Sequence, residues 1–188
     1  VIKIERPERG DDARGIGPFV DGRSAYFLSL NRGKESIALD IQAPDDRAIF
    51  ERLLARADVL VENFRPGVMA RLGLSYASLR DVNPRLIYCA ISGFGQTGPD
   101  ADKPAYDQII QGLSGVMAVN GDERLNPLRC GFPVCDTVGG LNAAFAICSR
   151  EIHTAIQRGQ VARQRVVRTE ANVLHNPRAG RRPVAAPQ

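Results

Sequence analysis

Apolar residues recur with two different spacings along most of the chain, and the two spacings alternate. Short continuous apolar runs are typical of strands, whereas apolar residues three or four positions apart are typical of helices. The pattern predicts strands at residues 1–5, 58–62 and 86–91, and helices at residues 44–57, 66–72, 75–80, 105–119 and 137–148. Residues 25–30 and 36–41 fit either two short strands or one bent connection, and residues 6–23 are typical of a loop.

Strands that alternate with helices in this order favour βαβ units, in which helices connect parallel strands. We therefore predict an α/β fold of the doubly wound kind, an open and mainly parallel sheet with flanking helices. The 188 residues can bury a core of ordinary size, and no apolar run reaches the roughly 18 residues that a membrane span requires. The composition excludes membrane-spanning, collagen-like and wholly disordered proteins.

The positive charge of the chain is concentrated at its carboxyl end. Residues 150–188 hold eight Arg, no Lys and two acidic residues, whereas residues 1–149 hold 17 basic and 19 acidic residues. We predict one folded domain at residues 1–149 and a basic, irregular tail at residues 150–188, either disordered or out of frame. The alternative is a basic arm that binds nucleic acid or an acidic partner, which the absence of aromatic residues in the tail disfavours.

Cysteine usage limits the possible chemistry. Cys89, Cys130, Cys135 and Cys148 form no C-x-x-C pair, and the two histidines add no metal-ligand spacing beside them. We therefore predict reduced thiols, no metal site and a cytoplasmic protein. The first residue is a Val inside a predicted strand, so we expect the sequence to begin inside a longer protein.

A G-x-G-x-x-G pattern, GFGQTG at residues 93–98, follows the strand at residues 86–91. A dinucleotide-binding loop of this form leads directly into a helix, whose N-terminus binds the pyrophosphate. Here the last glycine is followed by PDADKP at residues 99–104, which is typical of a loop. A flexible glycine hinge beside a cleft is the preferred interpretation, and a dinucleotide-binding module is the alternative.

Asn63, Phe64 and Arg65 lie between a predicted strand and a predicted helix, at the sheet edge where open α/β sheets bind ligands. An amide, an aromatic ring and a guanidinium at this place could hold a nucleotide with its phosphates. Arg71 lies almost two turns further along the helix, so it need not share a face with Arg65. A helix cap at Asn63 and solvated arginines explain the same residues equally well.

Asp136 precedes a predicted helix and allows two interpretations. As an N-cap it would satisfy free main-chain N–H groups. The same position suits a nucleophilic carboxylate, because the helix N-terminus keeps it ionised and Gly139 and Gly140 leave room for a bulky substrate. Asp107, which follows Tyr106 at another predicted helix start, allows the same two interpretations, and spacing decides neither case.

Four segments, in the same order, resemble the class III CoA-transferases. This is the CaiB/BaiF family, which includes formyl-CoA transferase and the α-methylacyl-CoA racemases. The segments are FLSLNRGKESIALD at residues 27–40, DVLVENFRPGV at 58–68, NPRLIY at 83–88 and SGFGQTGP at 92–99. The resemblance implies a Rossmann-like sheet, an interlaced homodimer, and acyl-CoA and a carboxylic acid acceptor as substrates, with no permanently bound cofactor.

The resemblance also implies roles for individual residues. Asp136 stands where the family has its catalytic aspartate, which attacks the thioester and forms a mixed anhydride and then an aspartyl-CoA thioester. The positions that match the family's CoA site are Arg6, Leu39, Gln42, Asn63, Phe64, Arg65, Arg71, Tyr106 and Asp107. Gln42 stands where some members have a basic residue.

The family contains both transferases and racemases. Racemases have a His where this chain has Tyr106, because removing the proton beside a thioester carbonyl requires a base of near-neutral pKa. Tyr106 therefore favours an acyl-CoA:carboxylate CoA-transferase, and an α-methylacyl-CoA racemase is the alternative. Family members continue beyond both ends of this sequence, so we expect a partial large domain that is inactive as an isolated chain.

Overall fold

Parallel strands joined by helices organise the fold, as the alternating pattern predicts. The structure, a computed structural model, describes residues 1–156 and 166–170, with side chains through residue 150. The chain divides into two compact units, Val1–Ala57 and Asp58–Gln188. The predicted α/β class is confirmed, but the strands of the described residues form three separate small sheets rather than one.

The first unit is built on one parallel strand pair. Its elements are β1 (Ile2–Glu5), a 3-10 helix (Asp12–Gly15), β2 (Phe19–Val20), β3 (Arg23–Ser24), α1 (Ala25–Asn31), β4 (Glu35–Ala38) and α2 (Pro44–Leu54). β1 pairs with β4 in parallel and β2 pairs with β3 in antiparallel orientation. Pro44 at the first helical position and two acidic residues in the first turn explain the start of α2.

Residues 25–30 form a helix and not a strand, which differs from both predicted alternatives. The reason is a cap: the Ser24 hydroxyl accepts a hydrogen bond from the Phe27 N–H at 3.0 Å and starts α1. The predicted loop at residues 6–23 also contains the 3-10 helix and the two short antiparallel strands.

A buried carboxylate, Glu5, ties this loop to the strand pair. Its side chain is 3% exposed and accepts two hydrogen bonds from the Arg14 guanidinium, both at 2.8 Å. It also accepts from the Asp11 N–H at 2.8 Å and from the Ser36 hydroxyl at 2.7 Å. The Arg14 guanidinium lies 4.0 Å from the centre of the Phe27 ring. The hydrogen bonds from Arg14 outweigh the effect of burial and lower the pKa of Glu5 to about 2.

Replacing Glu5 by Gln should lower the free energy of unfolding at neutral pH by about 2 kcal/mol, because a buried ion pair loses one partner. The lowered pKa gives the sign of the pH dependence. The stabilisation is complete above the ordinary pKa of 4.5 and is lost as the pH falls towards about 2. Urea unfolding from about pH 2 to pH 7 measures it. In Glu5→Gln, the free energy of unfolding should depend less on pH than in the parent protein. Glu35→Gln, at an exposed position of β4, is the control. The assignment to Glu5 is contradicted if Glu35→Gln reduces the pH dependence equally.

The second unit contains a three-stranded parallel sheet with β6 in the centre. Its elements are β5 (Val59–Glu62), α3 (Val68–Arg71), α4 (Tyr76–Val82), β6 (Ile87–Ser92), α5 (Asp107–Leu113), a 3-10 helix (Val116–Val119), α6 (Val134–Ile156) and β7 (Val166–Glu170). On one face of β6, the buried side chains of Ile87 and Cys89 pack against Ala143 of α6. On the other face, the Tyr88 ring lies 6.0 Å from the ring of Tyr76.

The predicted elements of the second unit differ from the structure in two places. The predicted helix at residues 105–119 is interrupted after α5, where Gly115 has a φ of 83° that a continuous helix does not allow. α6 crosses the predicted domain boundary at residue 149 and continues to Ile156, and β7 lies within the predicted tail. The predictions for residues 157–165 and 171–188 lie outside the described residues. None of the helices described is both long and apolar enough to span a membrane.

Candidate active site

The carboxyl ends of parallel strands bring several predicted site residues to one edge of each sheet. In the first unit, Glu5 at the end of β1 stands opposite Ala38 at the end of β4, so Arg6 and Leu39 follow at the same edge. Arg6 is exposed and pairs with Asp12. Leu39 is 5% exposed, so its side chain is not open to a ligand in this structure. This burial does not agree with the prediction that the Leu39 side chain contacts CoA.

Gln42 lies in the turn between β4 and α2, on the same unit. The residue is exposed, and its main-chain N–H donates to the Asp40 carboxylate at 3.0 Å. The turn therefore leaves the Gln42 amide side chain facing solvent, where it could contact a polar ligand.

In the second unit, the turn at Asn63, Phe64 and Arg65 follows β5, and all three residues are exposed. Glu62 holds this turn in place: one carboxylate oxygen accepts from the Phe64 N–H at 2.7 Å and the other from the Tyr88 hydroxyl at 2.9 Å. Burial raises the pKa of Glu62. Burial, followed by the carboxylate of Glu62, also raises the pKa of Tyr88, so its phenol stays a hydrogen-bond donor.

Arg71 lies closer to this turn than its sequence spacing indicates. Gly67 begins α3 with a left-handed φ of 81°, and a Cβ placed on it would lie 3.2 Å from Nη1 of Arg71. The Arg71 guanidinium therefore folds back over the start of α3. It lies beside Gly67, which is two residues after Arg65. The glycine leaves space for a cation beside the turn.

The first glycine of the pattern after β6, Gly93, allows two segments of the chain to pack closely. A Cβ on Gly93 would lie 2.0 Å from the Cβ of Ala105, so only glycine allows the two segments to approach this closely. After Gly98 the chain forms turns, and the next helix begins at Asp107. Because no helix N-terminus follows the last glycine, the loop lacks the context that a pyrophosphate site requires.

Asp136 lies in the first turn of α6 and does not cap it. α6 begins two residues earlier, at Val134. The carboxylate that caps α6 comes from α5: Oδ1 of Asp107 accepts from the Cys135 N–H at 2.8 Å and from the Asp136 N–H at 3.3 Å. The interpretation of Asp136 as an N-cap is therefore wrong, and Asp107, 6% exposed, fills that role from another helix.

The Asp136 carboxylate itself is left without a hydrogen-bond donor among the described residues, and the residue is exposed. Loss of water around the carboxylate, and then the charge of Asp107, raise the pKa of Asp136. This direction is opposite to the effect expected from the helix dipole, and the N–H groups of Cys135 and Asp136 donate to Asp107 instead of to the Asp136 carboxylate. A carboxylate with a raised pKa is more basic and therefore a better nucleophile once ionised.

The neighbouring thiols are less suited to nucleophilic attack. All four cysteines are free thiols. Burial, followed by the charges of Asp107 and Asp136, raises the pKa of Cys135, so this thiol stays protonated near neutral pH. The part of the chain with described side chains contains no cluster of three or more His, Cys, Asp or Glu residues that could hold a metal ion.

Sequence reasoning missed Gln111, which is fully buried and donates to Oδ2 of Asp107 at 2.6 Å. The two residues are four positions apart on α5, a spacing that places side chains together on a helix. This i, i+4 pair was the available signal. Tyr106, in contrast, is 69% exposed at the start of α5 and open to a ligand.

Comparison with known proteins shows the family of this chain. Residues 1–176 match the family model described as CoA-transferase family III. The chain belongs to CoA-transferase family III. The match to this family runs past residue 149, where the predicted family-like domain ends. The candidate site positions predicted from the sequence therefore lie in the matched region.

Relatives of this chain include proteins named as CoA-transferases. One is an acetyl-CoA:oxalate CoA-transferase from Acetobacter aceti, 52% identical over 155 residues, which cover 80% of this chain and 40% of that protein. Another is a succinate–glutarate CoA-transferase from Agrobacterium fabrum, 47% identical over 167 residues, which cover 85% of this chain and 42% of that protein. The chain spans about two fifths of the length of these relatives.

A solved structure of another protein has the same fold as this chain. The crystal structure of a CaiB/BaiF family protein from Brucella suis superposes with a TM-score of 0.82 and 40% sequence identity. The match covers 90% of this chain and 45% of that chain. The α/β fold of the family is therefore present here.

Proposed function

We propose that this chain carries the nucleophile of an acyl-CoA:carboxylate CoA-transferase, and that Asp136 is that nucleophile. The observation that supports this most directly is the free, exposed carboxylate of Asp136 beside a helix start that Asp107 already caps. A carboxylate suits this reaction because the nucleophile must itself become acylated and then accept CoA. The transferase names of the relatives agree with this reaction class.

The proposed reaction begins with attack of an Asp136 carboxylate oxygen on the thioester carbonyl carbon. The C–S bond breaks, CoA leaves as the thiolate, and a mixed anhydride forms. The thiolate then attacks the Asp136 carbonyl carbon, which releases the donor acid as a carboxylate and leaves an aspartyl-CoA thioester. The acceptor carboxylate repeats these two steps in reverse, so CoA is transferred, Asp136 is regenerated, and no oxidant or net proton is required.

CoA presents three kinds of group to a protein: an adenine ring, phosphates and a thioester arm. We assign Phe64 and Asn63 to the nucleotide, and Arg65 and Arg71 to its phosphates, because exposed guanidiniums bind phosphate with paired hydrogen bonds. The remaining assigned positions are Arg6 at the adenine end, Leu39 through its main chain, Gln42, Tyr106 and Asp107. Because Asp107 is buried and its carboxylate caps α6, it contributes to the shape of the site.

We further propose that the protein is a homodimer in the cytoplasm. Three apolar side chains of α6 are exposed at a spacing of three and four residues: Val138, Leu141 and Phe145. Such a stripe is the pattern that a helix buries against a partner. The free thiols agree with a reducing compartment.

Intact-protein mass spectrometry tests the proposed reaction. A full-length form of the protein is incubated with acetyl-CoA and oxalate, and separately with succinyl-CoA and glutarate, the pairs in the names of its relatives. We expect a covalent CoA adduct on Asp136 that hydroxylamine removes, together with transfer of CoA to the acceptor. Epimerisation of a 2-methylacyl-CoA without any acceptor acid would instead support the racemase alternative. Binding of NAD rather than CoA in a calorimetric titration would support the dinucleotide-binding alternative.

A further inference from the structure

A fully buried amide side chain, Gln111, joins α5 to the segment that leads into α6. Its Nε2 donates to Oδ2 of Asp107 at 2.6 Å and approaches the Phe132 carbonyl oxygen at 3.5 Å. Its Oε1 accepts from the Cys130 N–H at 2.8 Å. A buried glutamine is costly unless it is hydrogen-bonded, and here both ends of the amide are used.

Asp107 extends the same network to the start of α6. Its Oδ2 accepts from Gln111, and its Oδ1 accepts from the N–H groups of Cys135 and Asp136. Two buried side chains on one face of α5 therefore hold the segment at both ends: Gln111 at Cys130, and Asp107 at Cys135 and Asp136. Removing either side chain would leave buried polar groups without partners.

The network also determines what the Asp136 carboxylate can do. An aspartate in the first turn of a helix readily accepts hydrogen bonds from the free N–H groups of that turn. A carboxylate held in this way is a weaker nucleophile, because its lone pairs are occupied. Asp107 takes the N–H groups of Cys135 and Asp136, so the Asp136 carboxylate is not drawn back onto its own helix.

We propose that Gln111 is a positioning residue: by fixing Asp107 and the Cys130 main chain, it keeps Asp107 on the α6 N-terminus and leaves the Asp136 carboxylate free to attack. This inference rests on the proposed function of Asp136. Gln111 touches neither the substrate nor the reacting atoms in this scheme, and it acts only through Asp107 and the main chain.

The test exchanges the two polar groups. In Gln111→Glu, two carboxylates face each other where an amide and a carboxylate met, so the network opens. In the double variant Asp107→Asn with Gln111→Glu, the new Asn donates to the new Glu. Its amide oxygen still accepts from Cys135 and Asp136, and the second Glu oxygen still accepts from Cys130. Gln108→Glu, exposed on the same helix, is the matched control.

Two readouts are measured on each variant of a full-length form of the protein: kcat and KM for CoA transfer, and hydrogen exchange at the Cys130 and Cys135 amides. We expect Gln111→Glu to lower kcat by at least about tenfold with KM changed less than about threefold, and to speed exchange at both amides. The double variant should regain most of both losses. Gln108→Glu should match the parent protein.

Each contrary outcome overturns the proposal. The positioning role is wrong if Gln111→Glu keeps its kcat, or if the amides exchange faster while kcat stays unchanged. It is also wrong if the folded double variant regains amide protection but not kcat, and this comparison remains decisive if Gln111→Glu alone does not fold. Failure of the proposed function looks different, because Asp136→Asn would then remain active.

Discussion

Asp136→Asn should lower the rate of CoA transfer by at least about 10⁴-fold and prevent formation of the covalent CoA adduct. The amide is nearly the same size, and the Asp136 main-chain N–H can still donate to Asp107. The fold and the α6 cap should therefore persist while the nucleophilic oxygen is lost. Transfer assays, intact mass and thermal unfolding are measured on the same preparation of a full-length form of the protein. Asp136→Ala repeats the test without a group that can hydrolyse back to aspartate.

A matched control separates loss of the nucleophile from loss of charge. Asp81 is exposed on α4, and Asp81→Asn makes the same chemical change away from α6. We expect this variant to transfer CoA at the parent rate. Activity retained by Asp136→Asn, or lost equally in Asp81→Asn, would show that Asp136 is not the nucleophile.

The Asp136 site illustrates how far local sequence reasoning reaches. Helix-start signals correctly placed Asp136 and Asp107 beside the starts of α6 and α5. They could not decide which carboxylate caps α6, because the cap is supplied across 29 positions of the chain by Asp107. Only the packing of α5 against α6 decides this. Burial of the Asp136 carboxylate, and then the charge of Asp107, reverse the expected direction of the Asp136 pKa shift.

The same limit explains the differences in the fold. Strand β1 alternates apolar and charged residues, and β5 and β6 carry continuous apolar runs, so the pattern predicted all three within a residue or two. Residues 25–30 are apolar without a distinctive period, and the Ser24 cap made them a helix. The ion pair between Glu5 and Arg14 could not be predicted from the local sequence pattern either. It forms because a tertiary contact brings an acidic strand residue to an arginine of the predicted loop.

The glycine pattern is the other case in which three-dimensional contacts decided the interpretation. The sequence favoured a hinge over a dinucleotide loop because no helix follows directly. The structure adds a steric reason for the first glycine, since residue 93 lies against Ala105, two residues before Asp107. Gly93 thereby sets the position from which α5 begins, and the Asp107 cap depends on that position.

Gly93→Ala should therefore lower the free energy of unfolding by about 3 kcal/mol, at the upper end for an added methyl group in a packed site. The new Cβ would lie 2.0 Å from the Cβ of Ala105 and 3.3 Å from Cδ1 of Ile110, so the backbone at residue 105 must move. CoA transfer should fall as well, because Asp107 would be displaced from the start of α6. Urea unfolding and transfer rates of a full-length form of the protein measure the two effects.

Two further variants test whether the close approach of residues 93 and 105 causes the loss of stability in Gly93→Ala. Gly112→Ala adds the same methyl group within α5, where the nearest heavy atom is the sulfur of Met117 at 3.7 Å. It should be neutral or stabilise by about 0.5–1 kcal/mol through helix propensity. Adding Ala105→Gly to Gly93→Ala removes the opposing methyl group and should restore most of the stability and the activity. If that double variant stays as unstable as Gly93→Ala, contact between residues 93 and 105 does not explain the glycine.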